Sequence, residues 1–363
     1  MVGLHSSDPA TVYLSARARL ETFEVSDLEQ ALYEDRALAR VLGMRRTLWV
    51  VPTSSVPLIH NSSTVRLIAP ELKRTAKMIE QAGIAGDGEK WHARVARKTL
   101  KAMEKRGEPV AAMELREDVP ELKKQFVSYR SDGSILGYTG VSTRVLFVLA
   151  NQGMVIRARP RGTWISGQYR WSPMDAWLGH SIPEMPKREA NAVVLGWWLR
   201  AFGPGSEIDL AWWTGWDRKS VRTALADLSA VEVSIDEGTG YLLPNDLEPV
   251  DTPAPWAAFL PSLDPTTMGW KERAWYLGDN APQLFDRNGN AGPTVWWDGR
   301  VVGAWSQRRD GSVAHALLED VGGEAKAIIE TEAQEVESWL DGVVVTARFR
   351  SPMDRNLSSR APG

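Results

Sequence analysis

The sequence predicts an α+β protein of three tandem winged-helix modules followed by a small β-barrel-like domain. Three observations lead there. A helix–helix–hairpin order recurs along residues 1–248. Beyond Pro244 the texture changes to short strands divided by Gly, Asn and Asp turns. A chain of 363 residues also exceeds what one ordinary hydrophobic core holds together.

The first module starts at Asp8, whose carboxylate can accept from the unpaired N–H groups of a helix with Pro9 at its first position. Val12, Leu14, Ala16 and Leu20 carry that helix forward as a buried stripe. Ser26, with Glu29 three residues on, reads as a capping box for a second helix through Leu28, Ala31 and Leu32. The period then shortens to a strand over residues 44–52, the beginning of a wing. Helices are expected at 53–66, 69–84, 89–106, 110–117 and 140–152. A strand over 154–159, a turn at Pro160, Arg161 and Gly162, and a strand near Tyr169, Arg170 and Trp171 make a second wing. The third module takes helices at 189–201, 206–213 and 217–228. Its wing runs over 231–234, turns at 237–240 and returns through Tyr241, Leu242 and Leu243.

Prolines 244, 249, 253 and 255 mark a linker. After it, strands are expected at 293–297 and 301–305, a helix at 324–340 and a last strand at 343–349. The modules therefore span 1–84, 85–180 and 181–248, the barrel-like domain spans 249–355, and residues 356–363 are expected to fray.

Composition bounds the function. Hydrophobic residues make up 43% and charged residues 25%, the profile of a globular protein. Cysteine is absent, which excludes disulfides, thiolate catalysis and cysteine zinc sites and suits a reducing cytoplasm. No apolar run approaches the roughly 20 residues that span a bilayer, so no membrane partner is expected. Walker, dinucleotide and Gly-x-Ser-x-Gly motifs are missing, and His60, His92, His180 and His315 lack metal-ligand spacing. No cofactor or metal is expected, and those histidines read as surface or capping residues.

The net charge of −3 hides a division: basic residues are in surplus over residues 1–172 and acidic ones over the remainder. Such asymmetry fits a polyanion met by the N-terminal half, although solvated helices of differing composition would give the same count. Arg45 and Arg46 are expected at the start of the first wing's strand, facing phosphates. Arg157, Arg159 and Arg161 alternate into a turn with Arg170 on the returning strand, so on a regular strand they would share one side. Lys271, Arg273, Arg348 and Arg350 make further claims on the barrel-like domain. The 17 Trp residues invite a base-stacking role, but Trp197, Trp198, Trp212, Trp213 and Trp216 fall where a module core explains them.

Several motifs carry a resemblance. They are Leu4-His5-Ser6-Ser7-Asp8-Pro9, Met44-Arg45-Arg46-Thr47-Leu48-Trp49, Trp212-Trp213-Thr214-Gly215-Trp216, Leu263-Asp264-Pro265 and Gly289-Asn290-Ala291-Gly292-Pro293-Thr294. Together they resemble the bacterial winged-helix DNA-binding family that contains the AlkZ-type and YcaQ-type DNA glycosylases, over nearly the whole chain. The resemblance implies three winged helices and a β-barrel arranged as a C around duplex DNA. It also implies excision of N-alkylated purines, including bulky adducts and interstrand cross-links, in general repair or in antibiotic self-resistance. A monomeric, cytoplasmic, nucleoid-associated protein follows from the same resemblance.

The family's catalytic motif is a polar-x-polar segment, commonly Gln-x-Gln, and the matching positions here are His5 and Ser7. Members commonly carry a helical segment before that motif, so the first module is expected to be shortened at its N-terminus. An N7- or N3-alkylated purine is cationic and already a good leaving group, so the protein needs chiefly to place a water against C1′. His5 would accept that water's proton and Ser7 would fix its position. Alternatively, His5, Ser6 and Ser7 only cap the helix at Pro9, and Asp8 is read as a cap before an acid. Two other functions stay open: a non-catalytic winged-helix DNA-binding or regulatory protein, and a scaffold for protein partners.

Overall fold

The computed structural model describes residues 2–129, 132, 134–236 and 238–359. The chain divides into two compact units, one of residues 29–191 and one that joins residues 1–28 to 192–363. The module boundaries expected at 84, 180 and 248 are of finer grain than this division.

In the 29–191 unit, the strands Leu38–Leu42 and Leu48–Pro52 pair antiparallel, with Leu38 opposite Pro52 and Leu42 opposite Leu48. Of the strand expected over 44–52, Met44–Arg46 is a turn and Leu48–Pro52 is the strand, with Leu38–Leu42 its partner before the turn. Arg45 and Arg46 occupy that turn with φ of 54° and 62°. Left-handed backbone is uncommon for residues other than Gly, Asn and Asp. Position in sequence alone gave no sign of it.

Two expected helices, 53–66 and 69–84, merge into Val56–Ile59, a wide π turn at His60–Thr64, and Val65–Gln81. Pro70 sits inside the last of these and removes one backbone donor without ending it. The next helix, Gly88–Arg106, begins at Asp87, which accepts from Lys90 N at 2.9 Å, and stops at left-handed Gly107. Gly88 is required by close approach: a Cβ there would lie 2.2 Å from the carbonyl oxygen of Ala76 on the preceding helix. Trp91, Val95, Met103, Leu115, Leu122, Val145 and Leu149 form the buried core beneath.

The order continues as strand Val110–Ala111, helix Ala112–Asp118, helix Val141–Asn151, and the hairpin Val155–Pro160 with Tyr169–Pro173. Val110–Ala111 pairs with the second hairpin strand, giving a three-stranded sheet. A hairpin of Gln125–Tyr129 with Ile135–Gly140 was not foreseen. It leaves Ile135, Leu136 and Tyr138 exposed.

His92 corrects another expectation: it is 2% exposed, not a surface residue. Its Nε2 has no hydrogen-bond partner among the described residues. Burial, helped by the charge of Arg144, pushes its pKa from 6.5 down to about 4. The folded protein therefore keeps the imidazole neutral where the unfolded chain protonates it. Its contribution is complete above pH 6.5 and is lost as pH falls toward 4, by about 3 kcal/mol at most. Melting followed across this window should show a smaller acid loss for His92→Phe than for the wild type. Parallel curves would remove His92 as the cause.

In the other unit, the helix Pro9–Arg17 starts as expected at Asp8 but stops before Leu20. The capping box at Ser26 does not form: Val25–Glu29 begins a residue earlier, and Asp27 accepts from Glu24 N at 2.9 Å. Further on, Lys187–Phe202 crosses the boundary between the units. Strand Gly205–Ser206, helices Glu207–Thr214 and Arg218–Asp227, and the hairpin Val231–Ile235 with Gly238–Leu242 follow. Gly205–Ser206 pairs with the second hairpin strand, as Val110–Ala111 does in its own sheet. Glu237, expected in this turn, lies outside the described residues. Trp198, Trp213 and Trp216 are buried in the core.

The expected barrel is instead an open four-stranded antiparallel sheet, in the order Ala257–Leu260, Thr294–Trp297, Arg300–Gln307, Val313–Leu317. Four strands are too few to curl shut around side chains. Helix Gly323–Leu340 covers the sheet with Ala325, Ile329, Ala333, Val336 and Leu340. No strand forms over 343–349, because side chains hold that segment's backbone. Gln307 Nε2 donates to Val343 O at 2.9 Å, and Gln307 Oε1 accepts from Val345 N at 2.7 Å. The expected frayed tail is also corrected. Pro352–Ser359 is a helix that buries Asp354 and Leu357 against Arg300–Gln307, and residues 360–363 lie outside the described residues.

Candidate active site and nucleic-acid contacts

His5 ends a short extended segment and is 6% exposed, while Ser6 is wholly buried and Ser7 is half-buried. The Ser7 backbone N–H donates to His5 Nδ1 at 3.4 Å. A neutral imidazole that accepts at Nδ1 carries its proton on Nε2, which leaves Nδ1 as the basic atom. Asp8 follows at once. Its Oδ1 accepts from Ala10 N at 3.3 Å and its Oδ2 from Arg348 N at 2.8 Å. Burial raises its pKa, and the two N–H groups and the Arg348 charge oppose that rise. Asp8 thus caps the helix and also ties it to residue 348.

Helix Pro9–Arg17 is bolted down along its length. Thr11 Oγ1 donates to Ser262 O at 2.6 Å, and Ser15 Oγ donates to Asp264 Oδ2 at 2.6 Å. Asp264 is fully buried and also receives Arg19 at 2.7 and 2.9 Å and Thr266 N at 2.8 Å. Leu263, with φ of 60°, donates its N–H to Ala291 O at 3.1 Å. Gly292 packs so closely that a Cβ would lie 2.6 Å from Ser351 Oγ. Three of the motifs that carry the resemblance are therefore connected in series: the helix after 4–9 bonds to Ser262 and Asp264, and Ser262 and Leu263 bond to Ala291. Asp264 was not singled out as a site residue, because its partners lie 245 and 249 positions away.

Beside Asp8 is a small, partly open pocket of about 20 Å³, with room for one water, lined by Thr11, Ser262, Trp305 and Asp354. A wider cleft of about 710 Å³ is lined by Arg308, Arg309, Arg350 and Arg355 against Asp310 and Asp354. Of these only Arg350 was expected, and it is engaged: its Nε donates to Asp354 Oδ2 at 2.6 Å. Arg348 is exposed. The adjacent Arg308 and Arg309, in a Gln-Arg-Arg-Asp-Gly turn, were the overlooked signal.

The remaining predicted cations divide. Lys271 is exposed, and its N–H donates to Asp209 at 2.7 Å. Arg273 is not a surface charge. It lies over Trp212 at 5.1 Å and Phe285 at 4.6 Å, and burial lowers its pKa. In the other unit, Arg46 pairs with buried Glu71, which also holds Arg144 at 2.7 Å. Arg45 is half-buried in the same turn.

The hairpin expected as a second wing does not present a single guanidinium face. A bulge between Arg157 and Pro160 interrupts the alternation. Arg157 stacks on Trp171 at 4.4 Å, and burial pushes its pKa down to about 10. Arg159 holds Glu29 at 2.7 Å and Glu34 at 2.9 Å, and Arg161 pairs with Glu114. Arg170 is half-buried on the returning strand. Among the described residues no group of three or more His, Cys, Asp or Glu is placed to hold a metal. None of their helices is long and apolar enough to cross a membrane.

Comparison with known proteins adds to this geometry. The family model described as DNA glycosylase AlkZ-like matches residues 1–339. Among solved structures, the Streptomyces sahachiroi DNA glycosylase AlkZ is similar with a TM-score of 0.71 and 18% identity, over 95% of this chain and 90% of that one. At that identity the likeness speaks for the fold. No curated protein matches the chain.

Proposed function

Because the chain belongs to the AlkZ-like family of DNA glycosylases, we propose that it hydrolyses the N-glycosidic bond of N7- or N3-alkylated purines in duplex DNA, bulky adducts and cross-links included. The observation that carries this reading is His5. It is a buried imidazole whose Nδ1 lone pair faces the Ser7 N–H, on a segment tied down by Asp8.

In the proposed reaction the bond between C1′ and the purine nitrogen breaks, and its electron pair neutralises the cationic base. Water oxygen bonds to C1′ and its proton passes to His5 Nδ1, which gives up its long 3.4 Å contact with the Ser7 N–H to receive it, while the Ser7 hydroxyl fixes the water beforehand. Neither residue offers an amine, so the enzyme is monofunctional and leaves a free base and an abasic site. Three winged-helix modules hold the duplex in this reading. Its support is the shared order of helix, strand, two helices and hairpin in 88–173 and 187–242, with the short strand beside the second hairpin strand each time. Arg45, Arg170 and Lys271 are assigned to phosphates.

Incubating the protein with duplexes carrying N7-methylguanine or a bulky N7-alkylguanine, followed by alkali, should give strand breaks at the lesion. A borohydride-trapped protein–DNA adduct would exclude the monofunctional route. Binding without breaks on any lesion would favour a non-catalytic DNA-binding protein. The second wing has its own test. Because Arg157, Arg159 and Arg161 are engaged within the protein, replacing them together by Ala should leave the salt dependence of DNA binding little changed. A log–log slope flattened by about 0.9 per arginine would instead put these side chains on phosphates.

A further inference from the structure

We propose that the exposed face of helix Gly88–Arg106 is a docking surface for the phosphate backbone of duplex DNA. This rests on the glycosylase reading only in taking DNA as the polyanion.

Lys90, Arg94, Arg97, Lys101 and Lys105 follow one another at steps of four, three, four and four. At about 100° per residue they fall within an arc of about 80°, and at about 1.5 Å per residue they extend over about 22 Å. All five are exposed. The opposite face is spent on the core, through Trp91, Val95, Thr99 and Met103. The helix is therefore a rigid rod with cations along one edge, anchored at Asp87 and stopped at Gly107. A DNA strand advances about 3.4 Å per phosphate, so the row runs past about six of them.

Few carboxylates answer these charges. Asp87 reaches Lys90 at 3.0 Å, and Glu121 is taken by Lys98 at 2.6 Å, beside the row. Glu104 stands at the row's edge and Glu89 beyond it. Arg94, Arg97 and Lys101 form no ion pair among the described residues. Alongside runs an open groove of about 780 Å³, with Lys90, Arg94 and Arg97 on one wall and Lys124, Asp87 and Glu121 among its other lining residues. Its four cations outnumber its two carboxylates, in a protein whose net charge is −3.

Charge complementarity selects the occupant. The row contains no exposed aromatic or aliphatic anchor of the kind that carries protein interfaces or inserts into a membrane surface. A regular series of cations on a stiff element matches a regular series of phosphates. The contact is made to the backbone, so it reads no bases and applies to damaged and undamaged duplex alike.

The test compares wild type, Arg94→Ala/Arg97→Ala/Lys101→Ala, and the charge-keeping Arg94→Lys/Arg97→Lys/Lys101→Arg. The measured quantity is the dependence of Kd on salt for an undamaged duplex. The alanine variant should flatten the log–log slope by about 2–3 and raise Kd at least tenfold at low salt, while the charge-keeping variant follows wild type. A slope and Kd unchanged in the alanine variant would overturn the inference. So would an equal loss in the charge-keeping variant, which would indicate a structural cause. Base release by wild type from an N7-alkylguanine duplex is scored separately. Its absence defeats the glycosylase reading while the salt slopes still decide the docking surface.

Discussion

His5→Ala is expected to slow single-turnover base release from an N7-alkylguanine duplex by about 10²–10⁴-fold, the range lost when a positioned general base is removed. The expectation follows from which nitrogen is basic. Nδ1 accepts from Ser7 N, so the neutral ring offers its lone pair on the side of the Ser7 segment. A water held by Ser7 on that side would replace the long Ser7 N–H contact at Nδ1 and give its proton to His5. Because His5 is buried, alanine also leaves a small void, so the melting temperature must be measured beside the rate. His5→Gln separates positioning from proton transfer. It keeps a hydrogen-bonding side chain but no basic ring nitrogen, so it should retain only the part of the rate that depends on positioning. A His5→Ala enzyme that releases base at the wild-type rate would return the 5–7 segment to a purely capping role.

Asp264→Ala should be the most destabilising single change in this region, by about 3–5 kcal/mol. The carboxylate is fully buried and accepts from Ser15, twice from Arg19 and from Thr266 N. Removing it leaves the buried Ser15 hydroxyl without this acceptor and leaves the Arg19 guanidinium only Ser15 O and Thr266 Oγ1 among these partners. For a unit of this size the loss corresponds to a fall in melting temperature of roughly 10 °C. Asp264→Asn keeps part of the acceptor set and should fall between alanine and wild type. Activity should drop as well, because Asp264 is a positioning residue: through Ser15 it fixes the helix that carries Asp8 and the His5 segment. An unchanged melting temperature in the alanine variant would show that Thr11 and Asp8 suffice to hold the helix.

These two residues also mark what could be read in advance. Asp8 as a cap, the 155–173 hairpin and the cores around Trp198, Trp213 and Trp216 depend on residues close in the chain, and local pattern reveals them. The backbone at Arg45 and Arg46 does not, since arginine has no preference for left-handed φ and composition gives no warning of it. The strand expected at 343–349 has strand-forming residues, but its hydrogen bonds go to the side chains of Gln307 and Asp8. The arginines of the second wing were visible, whereas their carboxylate partners Glu29, Glu34 and Glu114 were not. The row on helix 88–106 is legible from its four- and three-residue spacing alone. For the site, the motif at 5–7 was found through resemblance, and its supports at 262–266 required the fold.

The joining of residues 1–28 to 192–363 in one unit has a consequence for synthesis. Ser15 waits for a partner 249 positions later, and Asp8 for one 340 positions later. At ribosomal speeds of about 5–20 residues per second, the helix behind His5 emerges roughly 10–70 s before its anchors exist. The 29–191 unit can close during that interval, with its basic helix already formed. A nascent chain would thus form the basic face of helix Gly88–Arg106 before its candidate catalytic segment is fixed.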